Sequence, residues 1–406
     1  MRVGAARGRS AIGWIAVAVV LVAVAGVVYL HPSLTPATPT ARAGPGASAG
    51  DERLQSASFE DADHGAVTVL RGPFGSAAGA VTYLTSDGGR SWRRSASTVT
   101  YVGGQRVLER TDGAPGQYRV SEDGGRTWRP LDLPAGTRSA PIAPTFLDAQ
   151  QAWITVLAAP VTSPNGASVA LWRTVDGGAT WRRLAGTGIP DARRPVQLVF
   201  LDSSRGLLTV EAGDGRHVLL VTDDGGETWR STLTPTSPLP GSRIVAVWLL
   251  LLRDRPVVYL LTMPADGSNS PGVGLQTGSD RRFDAQSYAL GSDDAGRTWS
   301  PPAAGPRLST GFVVPPVVDA RGRLLLLEGR RLWVSRDGGA RWTATVIEAP
   351  ADLDPEFILA QGGGTLFATA SRRRPPPEDR LLDGLLHSTD GGIHWEEVQL
   401  PAPARR

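Results

Sequence analysis

The sequence predicts an all-β chain, a seven-bladed β-propeller behind one N-terminal transmembrane helix. Three observations lead there: a turn motif repeated seven times with fixed internal spacing, an interval between copies that averages about 50 residues, and one uninterrupted apolar run near the start. Composition agrees. Of 406 residues, 49 are glycine and 32 proline, which favours many turns over long helices, and no helical periodicity is evident after residue 50. Hydrophobic residues make up 41% and charged residues 20%, as a core-forming chain requires. The absence of cysteine excludes disulfides, thiolate metal sites, a cysteine nucleophile and a lipidated N-terminal cysteine. All 42 basic residues are arginine, a pattern that reads as coding bias. Residues 1–50 hold four of them and no acid, so the rest carries 38 arginines against 39 acids. A nearly neutral body gives no electrostatic reason to expect nucleic acid as a partner.

Residues 11–30 (AIGWIAVAVVLVAVAGVVYL) carry no charge. A helix of that length spans a hydrocarbon core of roughly 30 Å. Arg2, Arg7 and Arg9 precede it, so residues 1–10 are expected in the cytoplasm and everything after residue 30 outside. A cleaved signal peptide is the competing reading, since Ala41-Arg42-Ala43 fits the small-x-small rule. That site lies far beyond the apolar run, and the run exceeds a usual signal core, so an uncleaved signal anchor is expected. Residues 31–55, rich in Pro, Ala and Gly, read as a linker, and 401–406 as a tail. The expected location is a bacterial cell membrane, single-pass, with the propeller on the extracytoplasmic side.

The repeats are TSDGGRSW (85–92), SEDGGRTW (121–128), TVDGGATW (174–181), TDDGGETW (222–229), SDDAGRTW (292–299), SRDGGARW (335–342) and STDGGIHW (388–395). Their fixed residues are Asp87, Asp123, Asp176, Asp224, Asp294, Asp337 and Asp390; Gly89, Gly125, Gly178, Gly226, Gly296, Gly339 and Gly392 two places on; and Trp92, Trp128, Trp181, Trp229, Trp299, Trp342 and Trp395 five places on. Ser or Thr always stands two residues before the Asp. These types suit a tight hairpin. The pair formed by Asp and the following Gly or Ala is close to favoured two-residue turn chemistry, and the carboxylate can accept nearby backbone N–H groups. The second Gly supplies a positive φ, and the Trp buries a ring at the start of the next strand. Strand-like runs precede several copies (80–84, 168–172, 217–221, 331–334), and others lie upstream (144–158, 196–212, 243–262). The stretch 244–262 is nearly long enough to span a membrane, but Arg253, Asp254, Arg255 and Pro256 break it into two strands. Seven four-stranded blades need about 350 residues, and residues 56–400 supply 345.

The unit S/T-x-D-[G/A]-G-x-x-W resembles the Asp-box, or bacterial neuraminidase repeat, of sialidases, sortilin-type receptors, several glycosidases and the photosystem II stability/assembly factor family. The resemblance implies a propeller with each box between the third and fourth strands of a blade. Phe146-Leu147-Asp148 and Phe200-Leu201-Asp202 look most like the assembly-factor branch. In sialidases the boxes are peripheral to the catalytic centre, which uses three arginines, a Tyr–Glu nucleophile pair and an Asp. No Phe/Tyr-Arg-Ile-Pro motif occurs here; Gly188-Ile189-Pro190 and Leu70-Arg71-Gly72 are the nearest fragments. Of Tyr83, Tyr101, Tyr118, Tyr259 and Tyr288, two lead straight into boxes, and Tyr259 with Glu211 is an imaginable pair that no spacing supports.

The five histidines (His31, His64, His217, His387, His394) lack metal-ligand spacing, and His394 occupies a variable box position. Asp223-Asp224 and Asp293-Asp294 do not continue as calcium loops, and Gly362-Gly363-Gly364 does not continue as a phosphate loop. No catalytic, cofactor or metal residue is assigned. The expectation is a non-enzymatic binding or assembly module that meets a protein partner or glycan on a propeller face, with the inserts at 160–167, 264–287 and 371–383 as the candidate binding loops. The alternatives are a sialidase-like glycoside hydrolase with an unrecognised site, and a polysaccharide-binding lectin.

Overall fold

The computed structural model describes residues 52–59, 61–71, 80–95, 98–103, 106–110, 118–134, 144–157, 167–265, 283–310, 315–362, 364–372 and 382–401. The expected membrane helix and most of the expected linker lie outside them. Among the described residues no helix is long and apolar enough to cross a membrane.

Every regular element described is a strand, and the strands form seven four-stranded antiparallel sheets, each from four consecutive strands. Blade 1 holds β1 (Glu52–Phe59), β2 (His64–Arg71), β3 (Val81–Ser86) and β4 (Arg93–Arg94). Blade 2 holds β5 (Thr98–Gly103), β6 (Arg106–Arg110), β7 (Tyr118–Ser121) and β8 (Arg129–Leu131). Blade 3 holds β9 (Thr145–Phe146), β10 (Ala152–Leu157), β11 (Val169–Thr174) and β12 (Arg182–Arg183). Blade 4 holds β13 (Ala192–Phe200), β14 (Gly206–Ala212), β15 (His217–Thr222) and β16 (Arg230–Leu233). Blade 5 holds β17 (Ser242–Leu252), β18 (Arg255–Pro264), β19 (Phe283–Gly291) and β20 (Ala303–Thr310). Blade 6 holds β21 (Val317–Val318), β22 (Leu324–Glu328), β23 (Arg331–Ser335) and β24 (Thr343–Val346). Blade 7 holds β25 (Leu353–Gly362), β26 (Thr365–Arg372), β27 (Leu382–Ser388) and β28 (Glu396–Val398). The first strand begins at Glu52, so four residues of the sequence-assigned linker are strand.

Packing between the sheets makes the ring. Each of the hydrophobic clusters is shared by two neighbouring blades: Val199, Leu207 and Leu219 of blade 4 meet Val247, Leu249 and Leu251 of blade 5, while Trp248, Leu250 and Leu252 of blade 5 meet Val318, Leu324 and Leu326 of blade 6. Alternate residues of β17 thus enter two different seams, because successive side chains of a strand point to opposite faces. That is why residues 244–262 are apolar throughout without crossing a membrane. A further cluster joins Phe367, Leu385 and Val398 of blade 7 to Leu54, Phe59, Val67 and Val69 of blade 1 and closes the disc. Gln197 adds a polar clasp at the blade 4–5 seam, donating to Leu249 O at 2.6 Å and accepting from Leu249 N at 2.9 Å.

All seven boxes lie between the third and fourth strands, and the turns between first and second strands share that edge. The longer inserts fall in connections that leave from the opposite edge, and most of their residues lie outside the described ones.

The turn chemistry differs from the expected Asp–Gly pair. The left-handed pair is the two residues after the Asp: Gly88 and Gly89 have φ of 74° and 90°, and the other boxes repeat this. The Asp stays at negative φ because its carboxylate, and not its backbone, closes the turn. Box 5 alone has a Cβ at the first of these positions, Ala295 at φ 59°. Left-handed backbone disfavours any L residue with a Cβ, partly offset by the entropy Gly loses on folding, so Ala295→Gly should raise stability by about 0.5–1 kcal/mol. Paired urea denaturation curves measure it.

Candidate functional site

The box edge is built from hydrogen bonds that repeat around the ring. The hydroxyl two residues before each Asp donates to its Oδ1 at 2.7–2.9 Å. The same hydroxyl oxygen accepts the N–H of the second Gly at 2.7–3.0 Å. Oδ1 also accepts the N–H of the residue four after the Asp at 2.8–3.1 Å. Oδ2 accepts a side chain from that residue: Ser91, Thr127, Thr180, Thr228 and Thr298 donate hydroxyls at 2.5–2.7 Å. In box 7 His394 Nδ1 takes that role toward Asp390, so it is an engaged turn residue and not a free variable position. The indole N–H of Trp128, Trp229, Trp342 and Trp395 donates to the carbonyl of its own box's second Gly at 2.8–3.1 Å.

These donors lower the carboxyl pKa values. In Asp87 the Ser91 hydroxyl, and in Asp294 the Thr298 N–H, lead the groups that hold the acid at about 2. Asp224 pays a burial penalty that pushes upward, yet the Thr228 donors still hold it at about 2. Asp123 and Asp176 are also held well below the usual carboxylate range, first by Thr127 and Thr180. A depressed acid contributes stability that is complete above its unfolded pKa, near 4, and lost as pH falls through its folded value. The carboxylates' share of stability should therefore be constant above about pH 4, and acid unfolding followed by tryptophan fluorescence should show it falling between about 4 and 2. His394 has the opposite sign: its Asp390 partner raises its pKa, so that contribution is complete below about 6.5 and lost as pH rises through the higher folded value. His394→Thr should remove this neutral-pH dependence while keeping the acid limb.

A second Asp sits in the turn between first and second strands. Asp61, Asp148 and Asp202 Oδ1 each accept two backbone N–H groups, two and three residues on, at 2.7–2.9 Å. Carbonyls of the same turns then accept the N–H of the first box Gly: Gly88 donates to Asp63 O, Gly177 to Gln150 O and Gly225 to Ser204 O, at 2.7–2.8 Å. The sequence reading found the Phe146 and Phe200 copies and missed Phe59-Glu60-Asp61. The signal was present, because a small residue follows the Asp by four in each. At Gly65 and Gly206 a Cβ would come within 2.3 and 2.8 Å of the Phe59 and Phe200 rings.

Chemistry-bearing side chains elsewhere are placed for packing. Tyr83 and Tyr288 are buried in seams, and Tyr118 packs on another. Tyr259 is fully buried between blades 5 and 6 beside Trp248 and Trp342, where burial drives its phenol pKa up. Its hydroxyl makes no well-formed hydrogen bond, although Ser287 lies close; Ser287 Oγ donates to Pro306 O instead. Glu211 belongs to blade 4 and pairs with Arg194 Nε at 2.7 Å, so the imagined Tyr259–Glu211 pair does not form. Tyr101 lies on β5, the first strand of its blade, with its side chain outside the described residues. Asp223 meets Arg297 at 2.5 Å and Arg230 at 3.6 Å, and Asp293 meets Arg255 at 2.7 Å. Their place in ion pairs accounts for the doubled acids. His64 bonds to Asp61, His387 lies 3.3 Å from Glu396, and burial holds His217 low; His31 lies outside the described residues. Gly362 and Thr365 pair across the β25–β26 hairpin, the setting of the glycine run.

No family model and no curated protein matches the sequence. Solved structures are distantly similar. YCF48 from Cyanidioschyzon merolae is 16% identical over 84% of this chain and 95% of that chain, with a TM-score of 0.45. YCF48 bound to a D1 peptide is 16% identical over 82% and 91%, at 0.44. A polysaccharide lyase of family PL25, an ulvan lyase, is 14% identical over 72% and 80%, at 0.46.

Proposed function

We propose that this chain is a membrane-anchored, extracytoplasmic propeller that works as a non-enzymatic binding or assembly module for a protein partner. Residues 11–30 hold it in a bacterial cell membrane in this reading. The observation that carries it is the use of the tyrosines: Tyr83, Tyr259 and Tyr288 are buried in blade seams and Tyr118 packs on one, so these four side chains serve the core. The box carboxylates are likewise engaged by turn donors, which hold them ionised as hydrogen-bond acceptors within the hairpin. A glycoside hydrolase needs positioned groups that face substrate, and the scaffold supplies none by itself.

The test uses the full chain reconstituted in lipid vesicles with a panel of sialosides, arabinosides and uronate polymers. The expected result is no turnover. Hydrolysis or elimination that disappears in Tyr101→Phe would sink the reading. Protease added outside intact cells should digest the propeller, and full protection would reverse the proposed orientation.

A further inference from the structure

Arginine side chains lie over the first glycine of several boxes, each reaching across a seam from the preceding blade. Arg129 covers Gly177, Arg173 covers Gly225, Arg255 covers Gly338 and Arg323 covers Gly391, with a guanidinium nitrogen 2.7–3.2 Å from where a Cβ would stand. Three of these cations have a carboxylate: Arg129 with Glu122 at 3.4 Å, Arg255 with Asp293 at 2.7 Å and Arg323 with Asp319 at 2.6 Å. Arg173 has none within ion-pair distance among the described residues. Its Nη2 donates to Gln151 Oε1 at 2.8 Å and its plane stacks 4.9 Å from the Trp153 ring, while its Nε is buried without an acceptor.

The reason is readable in box 3. The residue just before the box Asp is Glu122, Asp223 and Asp293 in boxes 2, 4 and 5, and each of these acids pairs with arginine. In box 3 it is Val175, which is 63% exposed. The strand register also sets Arg173 directly opposite Arg182, and like charges opposite one another are destabilising. Arg182 is partly offset by Glu227 at 2.5 Å, but that acid is also taken up by the Ala185 N–H at 2.9 Å. Between the two arginines lies a cleft of about 220 Å³, lined by Arg173, Val175, Thr180 and Arg182. The Thr180 hydroxyl donates to Asp176, so the donors available to a ligand there belong to the guanidinium groups.

We propose that this cleft binds a small oxyanion, which supplies at Arg173 and Arg182 the counter-charge that Glu122, Asp293 and Asp319 supply to the other box-covering arginines. The site lies on the box edge, on the third and fourth strands of blade 3, apart from the inserts of the opposite edge. Planar guanidinium forks suit either a carboxylate or a tetrahedral anion, so the probes must tell them apart.

Thermal unfolding of the full chain in detergent, with sodium sulfate or sodium acetate replacing sodium chloride at constant ionic strength, tests this. A ligand bound only by the folded state raises the midpoint in a saturable way. A saturable rise with sulfate assigns a tetrahedral ligand, and one with acetate a carboxylate. The rise should fall to the chloride baseline in Arg182→Gln. It should also vanish in Val175→Glu, which places a carboxylate where box 2 has Glu122 and should itself raise the midpoint in chloride. No saturable rise in the unmodified chain, or an equal rise in both variants, overturns the proposal.

Discussion

Gly188→Ala should destabilise the propeller by about 2–5 kcal/mol, the sum of a left-handed backbone penalty and an overpacking penalty. Gly188 has φ 92°, and a Cβ there would lie 2.0 Å from the backbone oxygen of Trp229. No side-chain rotation relieves a clash with backbone. The segment from blade 3 to blade 4 runs here beside box 4, with Thr187 N donating to Glu227 O at 2.9 Å and Trp229 N donating to Thr187 O at 2.7 Å. The same bridge recurs once among the described residues, at Glu348 and box 7. Trp229 and Trp395, the box tryptophans beneath these bridges, are buried to 5% and 4% exposure, whereas the other five are half-buried. Gly188→Ala must therefore lift the segment and open Trp229 to water. Urea denaturation gives the loss in stability, and a red-shifted native emission would report Trp229. An unchanged midpoint would mean that the segment does not hold box 4 closed.

Residues with only one structural use made the boxes readable in advance. An Asp that needs backbone donors, a Gly at left-handed φ and a Trp that fills a seam tolerate few substitutes, so their spacing survives in all seven copies. The position four after the Asp was opaque because six boxes require of its side chain only a donor to Oδ2, while Arg341 of box 6 meets Oδ1 through its backbone N–H. Ser91, Thr127 and His394 meet the side-chain requirement in different ways. The residue before the Asp was opaque for another reason: Glu122 and Asp293 answer arginines on other strands, and the sequence does not say which strand faces which. The same gap allowed Tyr259 and Glu211 to be imagined together, although blade 5's inner seam partners decide where Tyr259 points. Strand alternation across two seams explains both the apolar run at 244–262 and its failure to be a membrane span. The candidate site was least readable, since the Arg173–Arg182 opposition is a matter of register.

The seam between blades 7 and 1 differs from the rest because no polypeptide connects the two sheets across it, and no strand is exchanged: both blades use four consecutive strands. Closure depends on side chains. Phe59 and Phe367, both fully buried, stack with ring centroids 3.5 Å apart and planes 7° from parallel. Around them pack Val67, Leu385 and Val398, and Trp92 Nε1 donates to Gln399 O at 2.8 Å. Phe59→Ala or Phe367→Ala should each cost about 3–5 kcal/mol. The double variant should cost less than the sum by about 1 kcal/mol, the coupling expected of a contacting aromatic pair. Phe200, stacked on Trp153 at 3.6 Å, offers the comparison, because the blade 3–4 seam is also bridged by chain through residues 184–191. Phe200→Ala should lower overall stability by a similar amount yet leave blades 3 and 4 tethered. Phe59→Ala should instead raise amide exchange selectively in β1 and β27 at temperatures where the other blades stay protected, since neighbouring repeats open from an untethered end. Uniform exchange across all seven sheets in Phe59→Ala would show that the ring opens as one unit, and that side-chain stacking is not what holds this seam.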